Sequence, residues 1–260
     1  MVNDAKAPNE WDVLAGEAFN AVWRAHADAV NRALLGRWLG RSRAGRILKT
    51  DAFDEAMGDG ALEPLDYATG MAVAVDVAHS LLKAAAVRHP ALQVVCADAR
   101  SLPVRPGSMD CAISLSTLDH FDSTSDIGLA LGELARALKP GAALVVTLDN
   151  PQNPVVGLRN VLPQSPLRAT GLLAYQVGAT LDEARLKRAL AVAGFQVDGS
   201  AFILHCPRVL AVPVSNLIAR HAPRLRKRWL GFLMAWEGLG RSPLARRTGH
   251  FVAVLARKPY

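Results

Sequence analysis

Cysteine is scarce in this chain, and the three cysteines that occur are far apart. Cys96, Cys111 and Cys206 each lie in apolar surroundings within the 260-residue sequence. This spacing gives neither a disulfide framework nor the paired Cys or His ligands of a zinc ion. The pattern instead predicts reduced, buried thiols and no metal site.

Long apolar runs are missing as well. No stretch of eighteen apolar residues occurs, so no helix is expected to span a bilayer. The first residues are polar and then charged, without the apolar core and cleavage site of a secretory signal. We therefore expect a cytoplasmic protein. Its 51% hydrophobic content allows a substantial buried core.

Two short apolar runs in the first half of the chain each end in a carboxylate. Met71 to Asp76 reads MAVAVD, and Leu92 to Asp98 reads LQVVCAD. Buried parallel strands have this composition, and open α/β sheets bind ligands at the carboxyl ends of such strands. Asp76 is therefore a candidate ligand for ribose hydroxyls, and Asp98 for the amino edge of an adenine. For either aspartate alone, the alternative is a helix cap or a solvated strand end.

Further strands and a helix follow in alternation. Asp110 to Leu115 and Ala142 to Leu148 are two more apolar runs. Between them, apolar residues at helical spacing predict a helix that the Lys-Pro-Gly turn at 139–141 ends. The repeated order of strand, helix and strand predicts an α/β protein with a parallel sheet.

The ordered segments resemble the class I S-adenosylmethionine-dependent methyltransferases. The matching motifs are the ribose segment VAVDVAHSLLKAA, the adenine segment VVCADARSLPVRPGSMDCAISL and the turn LARALKPGAALVVT. The resemblance covers residues 45–148, with an echo at LDEARLKRALAVAGFQV. It implies a Rossmann-like class I methyltransferase sheet with N-terminal helices and a helical insertion before the last strand. It also implies S-adenosyl-L-methionine as the cofactor.

The same resemblance implies where the site residues lie. The segment after the fourth strand offers His120 as a base suited to neutral pH, with Asp119 or Asp122 to orient it. A structural role for the His and Asp pair is the alternative, and Tyr175 is a further candidate for the same pocket. Cofactor contacts are expected from the strand ends, namely Thr50, Asp51, Ala52, Phe53, Asp76, Val77, Asp98, Ala99, Ser114 and Leu115.

The first cofactor loop departs from the family pattern, in which glycines let the methionine half of the cofactor approach the backbone. Residues 47–55 read ILKTDAFDE, so Lys49 stands where a carboxylate is expected, and Asp51, Phe53 and Glu55 replace glycines. The acids would repel the methionine carboxylate unless they turn away or pair with its ammonium group. Either the loop takes another path around the same ligand, or the site is degenerate.

Two other functional classes stay open. A nicotinamide-dependent oxidoreductase would also use an acidic ribose ligand, but it needs a GxGxxG turn, which this sequence lacks. A non-catalytic methyltransferase-like protein, used for binding or scaffolding after its cofactor loop degenerated, is the second alternative.

The first 44 residues are predicted to form one or two amphipathic helices. Apolar residues recur at spacings of three and four, and Arg24, Asp28 and Arg32 lie largely off the apolar stripe. The resemblance implies that these helices cover the cofactor and help to shape the acceptor pocket. A helix that only packs on the sheet is the alternative.

Basic residues are concentrated in the second part of the chain. Residues 1–150 carry 14 Lys and Arg against 19 Asp and Glu, whereas residues 151–260 carry 16 against 4. The basic cluster at 220–228 precedes the apolar block WLGFLMAW at 229–236. This composition predicts a peripheral contact of 220–236 with the inner face of the membrane, or a lid over a small or lipid-like acceptor. A core helix with a solvated basic end is the alternative.

Nucleic acid is a less favoured partner of this basic segment, because its aromatic and basic residues are not interleaved.

The remaining segments complete the domain prediction. Pro151 to Pro166 is rich in proline and polar residues and is expected to form a long connection. A helix at 181–194 and strands at 195–204 and 250–257 should follow. Segments 1–44, 45–206 with 249–260, and 207–248 would then be the N-terminal helices, the α/β domain and an inserted basic and apolar lobe.

Overall fold

The centre of the molecule is a seven-stranded sheet. The computed structural model describes residues 21–40, 45–65, 71–163 and 177–260. Its strands are β1 (Arg46–Lys49), β2 (Met71–Asp76), β3 (Leu92–Cys96), β4 (Met109–Leu115), β5 (Leu138–Asp149), β6 (Gln196–Ile203) and β7 (Phe251–Arg257). They lie in the order β3-β2-β1-β4-β5-β7-β6. Strand β7 pairs antiparallel with β5 and β6, and the other pairs are parallel.

Helices cover both faces of this sheet. In the described ranges they are α1 (Ala21–Leu39), α2 (Phe53–Met57), α3 (His79–Arg88), α4 (Thr124–Ala137), α5 (Pro154–Val161), α6 (Glu183–Val192), α7 (Arg208–His221), α8 (Arg226–Ala235) and α9 (Ala245–Thr248). Successive strand residues alternate between two cores, because side chains of a strand point to opposite faces. Ile47 packs in the core with α1, α3 and α8, and Leu48 packs in the core with α4 and α6.

The fold is the Rossmann-like class I methyltransferase sheet that the sequence predicts, including the helical insertion between β6 and β7. No helix among the described residues combines the length and apolarity needed to cross a bilayer. The domain boundaries at 44, 206 and 248 stay predictions. Within the described part, α1 and the inserted helices α7 and α8 share one core with the sheet.

Strand β5 begins earlier than expected. The Lys-Pro-Gly segment belongs to the strand, which pairs with β4 through an irregularity between Met109 and Cys111. Gly141 has φ 77°, and a Cβ there would lie 2.7 Å from the Tyr260 ring. Glycine is therefore favoured at this position by its backbone conformation, whereas the exposed Tyr260 ring could move away from a Cβ.

The connection predicted at 151–166 is wrong in its first part, which contains helix α5. The Asn153 side chain accepts a hydrogen bond from Val155 N, and Pro154 occupies the first helical turn. Both are strong signals for a helix start. Residues 164–166 of that segment, Tyr175 and the first twenty residues lie outside the described residues.

Candidate active site

A cavity of about 380 Å³ lies at the carboxyl ends of the parallel strands. Four elements enclose it: the strand-end loops, one face of α1, the β6–α7 junction and the start of β7. From the predicted set, the cavity is lined by Thr50, Asp51, Phe53, Asp76, Val77, Asp98, Ala99, Leu115 and His120. The topology thus brings together side chains that are up to 70 residues apart in sequence.

Asp76 ends β2 and ties two strand ends together. Its Oδ2 accepts a hydrogen bond from Ala52 N at 2.9 Å, and its Oδ1 accepts one from Ala78 N at 2.8 Å. The carboxylate is 9% exposed, and burial raises its pKa above the usual range even though both backbone bonds oppose that shift. Each oxygen still has acceptor capacity. Asp76 can therefore accept hydrogen bonds from a diol in the cavity.

Asp98 lines the cavity, but its carboxylate is engaged by a neighbour. Arg100 donates to Asp98 through Nη2 at 2.6 Å and through Nε at 3.0 Å, and it also pairs with Asp126 at 3.1 Å. These hydrogen bonds lower the pKa of Asp98. The guanidinium lies 4.9 Å from the centre of the Phe121 ring. An adenine here would therefore meet Arg100 and Phe121 as well as Asp98.

The acidic loop after β1 folds around a buried lysine. Lys49 is fully buried, and its Nζ lies 2.7 Å from Asp51 Oδ1, 2.9 Å from Glu55 Oε2 and 3.3 Å from Asp54 Oδ2. Burial disfavours the charged ammonium, but the three carboxylates more than offset this penalty and raise the pKa of Lys49 well above its usual value. The loop therefore carries its own internal cation.

The contacts with Lys49 bear on the expected repulsion between the loop acids and the methionine carboxylate. Asp54 and Glu55 turn inward to Lys49 and are about as buried as the core. The three acids are close enough together to hold a metal ion. Lys49 Nζ, however, already contacts all three of them. The cation at the centre of the cluster is thus supplied by the chain.

Polar side chains link the ends of β1 and β4 at the cavity wall. Thr50 Oγ1 donates to Ser114 Oγ at 3.0 Å, and Thr117 Oγ1 donates to Asp51 Oδ2 at 3.0 Å. Ser114 and Ala52 are completely buried and lie behind the residues that line the cavity. These two predicted cofactor contacts therefore support the wall instead of forming its surface.

His120 faces the cavity, whereas the Asp119 side chain points into the protein. Asp119 accepts hydrogen bonds from Asp149 N at 2.7 Å and from Ser116 Oγ at 3.1 Å. Burial and the nearby Asp149 charge raise the pKa of Asp119 to about 6. These hydrogen bonds make Asp119 an anchor for the loop. An orienting role of Asp119 towards His120 stays a prediction.

The segment 177–180 holds this loop from the other side. Ala179 N donates to Phe121 O at 2.7 Å. A Cβ on Gly178 would lie 2.4 Å from Phe121 O and 2.6 Å from Asp119 O. Only glycine permits this approach, so the position of His120 depends on it.

The end of the cavity farthest from Asp98 along the sheet is mainly apolar. Trp23, Leu204 and Phe251 line it together with Arg208, whose guanidinium lies 5.9 Å from the centre of the Trp23 ring. Leu204 has φ 61°, and Glu237 of the inserted segment accepts hydrogen bonds from Leu204 N and His205 N at 3.0 and 2.9 Å. Those bonds hold a conformation that a leucine seldom adopts.

Several lining residues are absent from the sequence prediction. They are Trp23, Arg24, Ala27 and Asn31 on α1, with Arg100, Ser116, Thr117, Leu204, Arg208 and Phe251 elsewhere. The α1 residues share one helical face at spacings of one, three and four. The apolar periodicity of this helix could not indicate that its polar members also enter the cavity.

Comparison with known proteins finds similarity to methyltransferases in part of the chain. Residues 56–146 match a family described as "Methyltransferase domain". Demethylmenaquinone methyltransferase of Paenarthrobacter aurescens is 30% identical over 167 residues, covering 60% of this chain and 62% of that protein. A mouse tRNA (carboxymethyluridine(34)-5-O)-methyltransferase is 39% identical over 59 residues, covering 23% of this chain and 9% of that protein. The chain thus spans less than two thirds of either relative.

Solved structures share the fold at low sequence identity. An S-adenosylmethionine-dependent methyltransferase of Thermotoga maritima has a TM-score of 0.62 at 17% identity, covering 96% of this chain and 97% of the other. The [4+2]-cyclase SpnF has a TM-score of 0.58 at 17% identity, covering 96% and 91%. A Haemonchus contortus phosphoethanolamine N-methyltransferase, solved with S-adenosylhomocysteine, has a TM-score of 0.55 at 16% identity, covering 88% and 52%.

Proposed function

We propose that this chain, a class I S-adenosylmethionine-dependent methyltransferase by its fold and its methyltransferase domain, transfers a methyl group to a small amphiphilic acceptor. The proposal rests on the position of the cavity. The ends of β1, β2, β3 and β4 meet at a single cavity, with the Asp76 carboxylate placed to bind a ribose.

The residues of the cavity fit such a cofactor. Asp76 has acceptor capacity for two ribose hydroxyls, and the small residues Ala97 and Ala99 leave room for a flat base near Asp98. Arg24 and Asp51 at the methionine end supply one charge of each sign. Adenosylmethionine carries no phosphate, so the missing GxGxxG turn does not count against this assignment.

Methyl transfer needs few catalytic side chains. S-adenosylmethionine supplies an electrophilic methyl group when it is bound, and transfer is a direct displacement. The cavity must therefore align the acceptor and exclude water, and a base is needed only if the acceptor must lose a proton. His120 lines the cavity and is the candidate for that base. Trp23, Leu204 and Phe251 provide an apolar wall for the acceptor.

The acceptor is proposed to be amphiphilic because its end of the cavity combines apolar side chains with one arginine. Trp23 and Arg208 lie together there, so an apolar body and a polar or anionic end can both be accommodated. A relative that acts on demethylmenaquinone supports this choice. The tRNA methyltransferase matches only 59 residues and gives less support for a nucleic-acid acceptor.

Peripheral membrane contact is part of the same proposal, and we extend its surface from the predicted segment 220–236 to helix α7. Leu233 is buried, and Trp229 and Trp236 pack partly against the core, whereas Phe232 is 51% exposed, so the predicted block faces both the core and the solvent. The outward apolar residues lie mainly on α7. We define the α7 surface as Val209, Leu210, Val214 and Leu217, which are 37 to 66% exposed. The basic cluster beside it is exposed and consists of Arg220, Arg224, Arg226, Lys227 and Arg228.

A non-catalytic binding protein is the second candidate. The pairing of Asp98 with Arg100 and the closed acidic loop around Lys49 favour it, since both alter the cofactor side of the cavity. The fold alone does not decide, because it also occurs in a cyclase.

Binding and turnover separate the two candidates. Titration calorimetry should detect S-adenosylmethionine and S-adenosylhomocysteine, and Asp76→Ala should weaken both by roughly thirtyfold. Unchanged affinity in Asp76→Ala would refute the ribose assignment. Production of S-adenosylhomocysteine with a panel of quinol, phenol and amine acceptors then tests catalysis. Tight binding with no turnover on any acceptor would favour the binding protein.

A further inference from the structure

Helix α1 brings a charged side chain into the cavity opposite the acidic loop. Arg24 lines the cavity together with Asp51, Phe53 and Asp54. Its Nε donates to Asp28 Oδ1 at 2.8 Å, and its Nη2 lies 2.9 Å from Asp54 Oδ1. The guanidinium lies 5.7 Å from the centre of the Phe53 ring. Arg24 is therefore held in place by α1, by the loop and by an aromatic ring.

This arrangement fixes the direction of the guanidinium. The two carboxylate contacts engage Nε and Nη2, and the side chain is 12% exposed. A guanidinium has five N–H donors, and Nη1 carries two of them. Such a pre-positioned, charged donor group suits a carboxylate ligand better than a flexible lysine does.

The acidic loop would otherwise be a poor place for an anion. Lys49 offsets part of the charge of its acids from inside the protein, because its Nζ contacts Asp51, Asp54 and Glu55. Lys49 itself is fully buried and so does not reach the cavity surface. Within the described residues at this end of the cavity, Arg24 is the cation on the lining surface, and Asp51 is an acid beside it.

We propose that Arg24 binds the α-carboxylate of the cofactor's methionine moiety and that Asp51 receives its ammonium group. This inference rests on the proposed function. A side chain from α1 would thereby bind the methionine moiety, which backbone groups of a glycine-rich loop bind elsewhere in the family. The glycines near this loop serve another purpose: a Cβ on Gly58 would lie 2.1 Å from Asp28 Oδ2. Asp28 in turn holds Arg24.

The test compares two ligands that differ at the methionine end. S-adenosylhomocysteine carries the carboxylate, and 5′-methylthioadenosine lacks the whole amino-acid group. Calorimetry is run on the parent, on Arg24→Gln and on the control Arg32→Gln, which alters another α1 arginine outside the cavity. We expect Arg24→Gln to lose about ten- to a hundredfold in S-adenosylhomocysteine affinity and to keep its methylthioadenosine affinity. Arg32→Gln should change neither affinity.

Each other outcome overturns the inference in a recognisable way. Equal loss for both ligands would mean that Arg24 only maintains the structure, and no loss for either would mean that the carboxylate binds elsewhere. A parent that binds neither ligand would overturn the proposed function together with the inference. If Arg24→Gln does not fold, Arg24→Lys keeps the charge beside Asp28 and Asp54. A selective loss of S-adenosylhomocysteine affinity, at least severalfold, is then expected, and an unchanged ratio of the two affinities would refute the proposal.

Discussion

Removal of Lys49 should cost much of the protein's stability. In Lys49→Met, a side chain of similar length leaves the carboxylates of Asp51, Asp54 and Glu55 without their central cation. Breaking a buried ion pair from one side costs about 3 to 5 kcal/mol. Urea denaturation at pH 7.5 should show a loss of that size in the free energy of unfolding.

The control for this prediction is Lys187→Met. Lys187 pairs with Glu183 at 2.7 Å on the surface of α6, and its side chain is 39% exposed. Its replacement should cost less than about 1 kcal/mol. Equal losses in the two variants would show that the Lys49 cluster is not an interdependent buried unit.

His26 should make stability depend on pH. Burial lowers its pKa to about 4, against an ordinary value of 6.5. Between these two pH values the unfolded chain binds a proton at His26 that the folded chain does not, so stability falls as the pH drops from 6.5 towards 4. The slope from this one group is at most about 1.4 kcal/mol per pH unit.

A variant isolates the contribution of His26 from those of other groups. Asp28 and Asp119, each with a pKa raised to about 6, act in the opposite direction between pH 6 and 3.8. They are unchanged in His26→Leu. Denaturation midpoints measured from pH 7 to 4.5 should therefore fall less steeply in His26→Leu than in the parent. The exposed His221, replaced by Gln, should leave the parent slope as it is, and identical slopes in all three proteins would contradict the prediction.

At the level of elements, the packing of segment 177–180 on the 118–121 turn is the sharpest constraint. Gly178→Ala places a Cβ within 2.4 Å of Phe121 O, so one backbone must move. We expect a loss of about 1 to 3 kcal/mol in unfolding free energy and a lower turnover number, because His120 shifts with the turn. Gly128→Ala is the matched control, because nothing lies within 4 Å of its Cβ in α4. It should stabilise the protein by about 0.5 to 1 kcal/mol. A Gly178→Ala protein as stable and active as the parent would refute the constraint.

The elements also differ in how well their sequences specify them. Strand β2 is apolar up to its terminal aspartate, so the sequence predicts it residue for residue, and Asp76 with it. The sequence does not predict helix α5, because proline and asparagine are common in loops as well as in a helix start such as Asn153 and Pro154. The role of Arg24 is hidden in the sequence for a different reason. Helical periodicity separates apolar from polar positions, and it assigns a polar residue to solvent even when the partner loop supplies buried carboxylates such as Asp54. The pairing of Asp98 with Arg100 likewise depends on side-chain geometry, not on spacing.

For the whole molecule, we expect binding to anionic membranes through the α7 surface and the basic cluster beside it. Each basic residue near an anionic membrane contributes about 1 kcal/mol. The parent should sediment with vesicles containing phosphatidylserine at low salt and much less with neutral vesicles. The double variant Leu210→Asp with Leu217→Asp should lose most of this binding. Leu129 on α4 is equally exposed, so Leu129→Asp is the control and should bind as the parent does. Equal retention on both vesicle types would exclude the membrane contact.

The charges around the cofactor end have a consequence for turnover. Arg24 and Lys49 are surrounded by five acids, namely Asp28, Asp51, Asp54, Glu55 and Asp76. The field at this end of the cavity is therefore negative at neutral pH. A sulfonium carries one positive charge more than the thioether that remains after methyl transfer. The cavity should consequently hold the spent product less firmly than the fresh methyl donor, and product inhibition should be weak at low ionic strength.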